Sequence, residues 1–298
     1  PLRLSHESCA SDEAIAAVDR LAREGADFVK VHDGIPRDAF LALASRADAR
    51  GLSFAGHVPE SIDLLQAIEL GQRSIEHVRD PLLMCFTADV RELEHFFTED
   101  AWGEADRSWG RSANAACPAI FAALHARKAW ITPTLVVEKS KVAVEDTAFV
   151  EDMRRDALPA SVRAGLREHA RRKLAQPAAE RQSERLWWRT QQSLVGRLGR
   201  EDIPLLAGTD AACEGGLPGA SLHEELSELV NAGLTPQQAL RAATTEPARY
   251  LERKHDGRIA PGMRANLLLL GADPLADIRN TRSIVAVFLR GRLFEPAR

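Results

Sequence analysis

The chain has 298 residues, of which 45% are hydrophobic and 28% are charged, so it can bury a large apolar core. Its net charge of −4 leaves no basic surplus to neutralise phosphates, which argues against nucleic acid as a partner. No apolar run approaches the roughly 18 residues that span a bilayer, which argues against a membrane protein.

The first part of the sequence alternates helices with short strands. Apolar residues at helical spacing predict helices over Asp12–Glu24, Pro36–Arg50 and Ser61–Leu70. The β-branched and aromatic runs ADFVKV, LSFAGH and RSIEHV predict strands after these helices or between them. This alternation predicts an α/β fold with a parallel sheet, in which chemistry gathers at the carboxyl ends of the strands.

Two insertions, at about 80–128 and 138–200, flank the next predicted strand, WITPTL at Trp130–Leu135. The second insertion is charged and predicted to be helical. It is either a solvated helical hairpin or a lid over the functional site, because long inserts in compact domains are often functional.

The last predicted barrel strand is the apolar run IPLLAGTD, Ile203–Asp210. Three helices should follow, over Ser221–Asn231, Thr235–Ala243 and Glu246–Arg253. From His255 onward, short apolar runs separated by turn residues predict a small β module. The expected domains are therefore a barrel portion at 1–254 and a β module at 255–298.

The strand-end rule selects four candidate functional residues. His57 and His77 end two successive strands, and neutral imidazole is the commonest ligand for zinc-like metals. Asp210 ends an apolar strand, where a buried carboxylate needs a metal or a paired cation. Lys30 points inward from its strand, so its pKa should fall, and a neutral amine can form a carbamate with carbon dioxide. Each residue also has an ordinary alternative: a capping Asp, satisfied histidines and an ion-paired Lys.

At these residues the sequence resembles the imidazolonepropionase-like and prolidase-like branch of the amidohydrolase superfamily. The matching segments run through nearly the whole chain in one order: GADFVKVHDG, FAGHVP, RSIEHV, WITPTL, LAGTDA, LPGASLHEELSELVNAGLTPQQALRAATTEPARYL and DGRIAPGMRANLLLLGADPLADI. The resemblance implies a (β/α)8 TIM-barrel-type metal-dependent hydrolase, with strands four to eight in this chain. It also implies a small β-sandwich, half of it formed by 255–298.

The resemblance assigns each candidate a role. Lys30 falls on the lysine that becomes carboxylated and bridges two metals, and His57 and His77 fall on histidines that bind the second metal. Asp210 falls on the aspartate that binds metal and shuttles the proton. The implied cofactor is a divalent metal, Zn²⁺ by default, with two ions in the intact enzyme. The expected reaction is cleavage of a C–N bond in an amide, a peptide such as Xaa-Pro, or a cyclic amide.

The sequence departs from the family in one respect, because it contains no His-x-His pair, which holds the first metal in the family. It also starts without Met or signal-peptide features, so we expect it to be a segment of a longer chain. We expect a soluble protein, cytoplasmic by default, with secretion or a periplasmic location left open. A small-molecule or dipeptide-like substrate is the expected partner, and a homo-oligomer and a complementing N-terminal segment both stay open.

Two other functions compete with the hydrolase. The chain could be an incomplete, non-catalytic amidohydrolase-like module, or a lyase or isomerase that uses Lys30 as a Schiff base. His223 is either a substrate contact near the mouth of the barrel or a surface residue near a helix start. The four cysteines form no C-x-x-C pair and none has a local context that would lower its pKa, which argues against a cysteine nucleophile.

Overall fold

In a computed structural model, the chain is described over residues 11–78, 117–143, 159–211 and 217–295. It divides into two compact units, Pro1–Thr132 and Pro133–Arg298. The first unit contains a parallel sheet, and the second contains helices and an antiparallel sheet. Within the described ranges, no helix has both the length and the apolar character needed to cross a membrane.

The first unit is built from alternating helices and strands. Four strands pair in chain order, each parallel to the next, and this confirms the predicted α/β fold with a parallel sheet. The elements are α1 (Ser11–Glu24), β1 (Phe28–Val31), α2 (Arg37–Arg50), β2 (Ser53–Gly56), α3 (Leu64–Glu69), β3 (Gln72–Glu76), α4 (Cys117–Arg127) and β4 (Trp130–Thr132).

Local signals explain where these helices begin and end. Pro36 is the N-cap of α2 and not its first residue, and Gly51 ends the helix in the left-handed conformation that glycine adopts without steric cost. Helix α3 begins three residues later than the expected Ser61, because the Asp63 side chain accepts a hydrogen bond from the Gln66 amide at 2.7 Å.

Successive side chains of β1 alternate between a buried and an exposed environment. Val29 and Val31 are buried, whereas Lys30 is exposed. This is the alternation that a strand imposes on successive side chains. The buried face of the sheet packs with apolar side chains of α2, among them Phe40, whose ring meets Phe54 of β2 edge-to-face with centroids 5.7 Å apart.

Strand β2 approaches β1 closely at Gly56. Gly56 has a φ of +125°, and a Cβ at this position would lie 2.2 Å from the Val31 carbonyl oxygen. The pairing of β2 with β3 shifts register at the same place. The buried Gln72 side chain supports this irregular backbone by donating to the carbonyl oxygens of Gly56 at 2.9 Å and His57 at 3.3 Å. The end of β2 is therefore held from both neighbouring strands.

The second unit is mainly helical and ends in an antiparallel sheet. Its helices are α5 (Leu135–Val142), α6 (Ala160–Leu174), α7 (Ala178–Arg200), α8 (Ala220–Asn231), α9 (Pro236–Ala243) and α10 (Thr245–Tyr250). Its strands are β5 (Leu267–Leu270), β6 (Ile284–Leu289) and β7 (Arg292–Phe294), and a 3₁₀ helix (Ile278–Arg282) lies between β5 and β6. The helix predicted from Thr235 begins at Pro236, with Thr235 and Gln238 forming a capping box.

The second insertion is helical, as predicted, where the structure describes it. Helices α6 and α7 are joined by the ion pair of Lys173 with Glu184 at 2.5 Å. Arg181 donates to the carbonyl oxygens of Leu174 and Gln176 at the end of α6. The choice between a solvated hairpin and a lid stays open, and most of the first insertion lies outside the described residues.

A buried carboxylate connects α8 with the start of α5. Glu225 on α8 is fully buried, and its Oε2 accepts a hydrogen bond from the Val136 amide at 2.8 Å. The N-cap residue of α5, Thr134, makes no side-chain capping bond, so Glu225 satisfies a helix N-terminus that would otherwise lack a side-chain partner. Burial raises the pKa of Glu225 to about 8.

The prediction of a strand over Ile203–Asp210 is wrong. This stretch forms only a single bridge, at Leu205, and no regular strand. Its backbone is tied to a helix instead, since the Ala207 amide donates to the Ala242 carbonyl at the end of α9, at 2.8 Å. An apolar run can be buried without sheet pairing, which periodicity alone does not reveal. The closed barrel, the β-sandwich and the domain limits at 254 and 255 stay predictions.

Candidate metal centre

Polar side chains gather where β1, β2 and β3 end. His32 and Asp33 directly follow β1, His57 directly follows β2, and His77 directly follows β3. Because the strands are parallel and adjacent, their carboxyl ends lie at the same edge of the sheet. The main chain fixes two of these positions: the His57 amide donates to the Val31 carbonyl at 3.1 Å, and the His77 amide donates to the Thr132 carbonyl at 2.8 Å.

His57 and His77 point their ring nitrogens at each other. The two Nε2 atoms are 3.1 Å apart, and the rings are nearly perpendicular, with centroids separated by 4.7 Å. The His32 ring stacks on His57 at 4.5 Å. Three imidazoles therefore meet at this edge of the sheet, as the sequence predicted for two of them.

The carboxylate of Asp33 contacts the other ring nitrogen of His57, Nδ1. The Asp33 Oδ1 atom lies 2.5 Å from His57 Nδ1. The hydrogen bond to His57 lowers the pKa of Asp33, and the nearby His32 and His77 lower it further by their charge.

Lys30 forms an ion pair with Glu76, the last residue of β3. The Lys30 side chain is 45% exposed, so the burial expected of it from the sequence is not found. Lys30 is exposed because its side chain extends past β2 to pair with Glu76 on β3, so apolar side chains do not enclose the amine. Glu76 also lies 3.9 Å from His57 Nε2, so one carboxylate faces both the amine and the imidazole.

Two of the predicted ligands have unusual backbone conformations. His77 has a φ of 67° and Asp210 a φ of 42°, both in the left-handed region that costs about 1–3 kcal/mol for a residue other than glycine. Such strain persists only where the surrounding structure enforces it, and it clusters at functional sites.

Asp210 lies in the second unit, whereas Lys30, His57 and His77 lie in the first. Asp210 is exposed, and it does not end a buried strand. The expectation of a buried carboxylate at a strand end is therefore wrong. The role of Asp210 as a ligand and proton shuttle stays a prediction that rests on the resemblance.

The sequence model of the amidohydrolase family matches residues 30–294, which is most of the chain. The chain belongs to the amidohydrolase family. No curated protein sequence matches it.

Solved amidohydrolase structures share its fold. A bottromycin amidohydrolase superposes with a TM-score of 0.74 at 23% identity over 98% of this chain and 61% of its own. A Xaa-Pro dipeptidase with bound methionine gives a TM-score of 0.61 at 18% identity, over 97% and 59% of the two chains. A putative prolidase from Bifidobacterium longum gives 0.60 at 18%, over 100% and 63%. The chain thus spans about three-fifths of the length of each of these proteins.

Amidohydrolases typically use divalent metals, and the donor set of this chain fits one. Two described groups bring at least three potential ligand atoms within 4.8 Å of one another: His57, Glu76 and His77, and also His32, Asp33 and His57. For metal–nitrogen distances of about 2.05 Å, two nitrogens 3.1 Å apart subtend about 100° at a shared ion, between octahedral and tetrahedral values. Imidazole nitrogens with a carboxylate oxygen are donors that suit zinc-like ions.

His223 lies on α8, where its Nδ1 atom is 2.9 Å from the Thr281 hydroxyl oxygen. That hydroxyl donates to the Ile278 carbonyl at 2.9 Å, so it accepts from His223. This contact connects α8 with the 3₁₀ helix and gives His223 a structural role. Contact with substrate stays a prediction.

The sequence did not point to Asp33, to Glu76 or to the position of His32. The strand-end rule that selected His57 and His77 applies equally to Asp33, because it also comes just after a strand. No comparable signal selects Glu76, because a Glu inside RSIEHV has no feature that distinguishes it from an exposed strand residue. Its contact with Lys30 spans an intervening strand, which only the sheet order reveals.

Proposed function

We propose that this chain carries the metal-binding part of an amidohydrolase that hydrolyses a C–N bond with a divalent metal, by default Zn²⁺. One observation carries the proposal: the Nε2 atoms of His57 and His77 face each other at 3.1 Å at the carboxyl edge of a parallel sheet. Enzymes with parallel sheets usually keep their chemistry at this edge. Membership of the amidohydrolase family supports the same reaction class.

In this proposal, the imidazoles of His57 and His77 would hold the metal. When bound, a divalent metal lowers the pKa of water towards neutrality and polarises a carbonyl group. Asp210 accepts the proton that water loses as its oxygen attacks the carbonyl carbon. Asp210 then returns that proton to the leaving nitrogen as the C–N bond breaks.

Lys30 is proposed to contribute a carbamate. Its ammonium group first loses one proton. The neutral amine then forms a bond to the carbon of carbon dioxide and releases a second proton, so that a cation becomes an anion. The ion pair with Glu76 opposes this step, because it stabilises the ammonium form. After the reaction the carbamate would face a carboxylate, and only a cation between them would relieve the repulsion. We therefore propose that carboxylation of Lys30 depends on metal.

The proposed substrates are amides, peptides that end in an amino acid such as proline, and cyclic amides. The names of two structural neighbours, a Xaa-Pro dipeptidase and a putative prolidase, support the peptide class. All three classes present a carbonyl carbon bonded to nitrogen, which is the group that the proposed water attacks.

The test is metal binding and hydrolysis by the purified chain and its variants. Wild type should bind zinc, and chelation should abolish any hydrolysis of a panel of Xaa-Pro dipeptides and N-acyl amino acids. His57→Ala and His77→Ala should each reduce zinc affinity at least 100-fold, because each removes a direct ligand. His125→Ala, which changes a histidine of α4, serves as the matched control and should leave zinc affinity unchanged.

The outcomes separate the competing functions. Zinc binding without hydrolysis of any panel member favours the non-catalytic module. Zinc affinity that survives both His57→Ala and His77→Ala contradicts the proposed site. Borohydride trapping of Lys30 with a carbonyl substrate, together with activity that resists chelation, would favour the Schiff-base enzyme.

A further inference from the structure

We infer that Gln72 is a positioning residue that holds the backbone of His57 from the side of β3 and so directs its imidazole towards the candidate metal centre. The inference rests on the proposed metal site and assigns a task to a residue outside its ligand set. It starts from the side chain of Gln72, the first residue of β3, which is only 1% exposed and donates hydrogen bonds to main-chain carbonyls.

The Nε2 atom of Gln72 lies within hydrogen-bond distance of three carbonyl oxygens. They belong to Gly56 at 2.9 Å, Ser74 at 3.2 Å and His57 at 3.3 Å. A carbonyl oxygen can only accept, so the nitrogen end of the amide, and not its oxygen, must face them. The amide nitrogen has two hydrogens, which the three carbonyls share. Two of the acceptors belong to the last residue of β2 and to the histidine that follows it.

An irregularity between β2 and β3 explains why a side-chain donor is needed here. From Phe54 to Gly56, β2 advances two residues. The residues paired with them on β3, Gln72 and Ile75, are three positions apart. The extra residue in β3 interrupts the regular ladder of main-chain hydrogen bonds. Buried carbonyls at such a break need another donor, and the amide of Gln72 supplies it.

The backbone of His57 is held from both neighbouring strands. Its amide donates to the Val31 carbonyl at 3.1 Å, and its carbonyl accepts from Gln72. Because these two groups flank the Cα atom of His57, their positions fix the direction in which its side chain leaves the backbone. The contact with β1 joins main-chain atoms and does not depend on side-chain identity, whereas the contact with β3 exists only because residue 72 is a glutamine.

Packing alone does not account for a glutamine at this position. The Oε1 atom of Gln72 is buried and accepts no hydrogen bond from the described residues. A buried polar atom without a partner costs stability, so an apolar side chain of similar size would serve the core better if no carbonyl needed a donor. The donated hydrogen bonds are therefore the reason for Gln72, and they act on the backbone that carries His57.

The first experiment compares Gln72→Met with Gln191→Met. Gln191 of α7 is also 1% exposed, and its Oε1 atom likewise has no partner among the described residues, so the control makes the same change at the same burial. The affinity of the full chain for zinc is measured in competition with a chromogenic chelator. Gln72→Met should weaken zinc binding about 10-fold, the lower end of the loss that follows when the support of a metal-binding histidine is removed. Gln191→Met should bind zinc like wild type.

A second readout follows the backbone of the metal-free chain by amide hydrogen exchange. The His57 amide is bonded to the Val31 carbonyl, and the His77 amide, bonded to the Thr132 carbonyl, is an internal reference at the end of the next strand. In Gln72→Met the His57 amide should exchange about 5- to 10-fold faster than in wild type, the change expected from the loss of one hydrogen bond. The His77 amide should change less. A general loss of stability would accelerate both amides equally, so the ratio of their rates isolates a local effect on His57.

Failure of the inference is distinct from failure of the proposed function. If wild type binds zinc and Gln72→Met matches Gln191→Met in zinc affinity and in the ratio of exchange rates, the role of Gln72 is overturned while the metal site stands. If wild type binds no zinc, the proposed function fails, and the inference fails with it.

A measurement on the wild-type chain decides the matter should Gln72→Met not fold. Both side-chain amide hydrogens of Gln72 should exchange slowly with solvent, because both are buried and bonded to carbonyls. Fast exchange of these hydrogens would overturn the inference, since the side chain would then not hold the end of β2.

Discussion

The backbone of β1 passes so close to Gly56 that no side chain fits there. A Cβ at Gly56 would lie 2.2 Å from the Val31 carbonyl oxygen, and 2.9 Å from the Val31 nitrogen. The φ of +125° is also one that residues other than glycine rarely adopt. Since the next residue is His57, the glycine sets how closely the end of β2 and its histidine approach β1.

Gly56→Ala should therefore destabilise the chain by about 3 kcal/mol, because both the backbone strain and the close contact act against alanine. It should also weaken zinc binding, since His57 would move with the backbone. Gly51→Ala is the matched control: Gly51 also has a positive φ, of +66°, but a Cβ there meets nothing within 4 Å. The control should cost about 1 kcal/mol.

Urea unfolding of the two variants measures the difference. Equal losses of stability in Gly56→Ala and Gly51→Ala would show that the strands can separate at Gly56 without cost, and would contradict the close approach as the reason for the glycine.

At the scale of elements, the junction of α8 and α5 depends on a buried acid. Glu225 is 0% exposed, and its Oε1 atom has no hydrogen-bond partner. Burial raises the pKa of its carboxyl group to about 8, and the nearby negative charge of Glu228 raises it further, while the backbone amides of Val136 and Leu135 oppose the rise. At neutral pH the group is therefore mostly protonated in the folded chain.

Because the pKa of Glu225 is raised in the folded chain, the stability of the fold falls as the pH rises. The unfolded pKa of a Glu is about 4.3, so between roughly pH 5 and 8 the folded chain holds a proton that the unfolded chain has lost. The stabilising contribution of Glu225 is complete below the unfolded pKa, and it is lost as the pH rises through this window. The loss is about 1.4 kcal/mol for each pH unit within the window.

Glu225→Gln should remove this dependence, because glutamine resembles the protonated acid and does not titrate. Urea unfolding at pH 5.5, 7.0 and 8.5 should show a stability that falls more steeply for wild type than for the variant. Glu180→Gln, at an exposed position in the first turn of α7, is the control and should follow wild type. Parallel curves for wild type and Glu225→Gln would contradict a raised pKa at Glu225.

At the scale of the whole molecule, the antiparallel sheet of the second unit presents an apolar face to solvent. Leu268, Val287 and Phe294 are register partners in one row across β5, β6 and β7. Val285 and Leu289 share the same face of β6, and both are 53% exposed, as is Leu268. Large apolar patches of this kind mark interaction sites or aggregation hazards. We propose that this face belongs to one half of a β-sandwich, as the resemblance implies for 255–298.

Placing charges on this face should reduce association of the chain without unfolding it. We expect the triple variant Leu268→Glu, Val285→Glu and Leu289→Glu to stay soluble at higher concentrations than wild type, with each change altering stability by about 0.5 kcal/mol or less. Light scattering against concentration measures the effect. The pair Leu174→Glu and Leu251→Glu, at exposed leucines of separate segments, should change association little. An equal effect of the two variants would show that net charge, and not the patch, controls solubility.

The sequence by itself determined the alternation of helices and strands, because apolar periodicity and capping residues are local properties of the chain. It therefore identified β1 to β4, the helices α8 to α10 and the histidines at strand ends. It failed at Ile203–Asp210, because an apolar run shows that a segment is buried and does not show whether another strand pairs with it.

Only the tertiary structure decided the contacts that cross strands. Glu76 reaches Lys30 across β2, and Asp33 reaches His57 from the end of the neighbouring strand. Both contacts join residues more than 20 positions apart, and their existence depends on sheet order and register, which no local pattern encodes. For the same reason, the sequence could predict His57 and His77 as ligands but could not show which carboxylates lie beside His57.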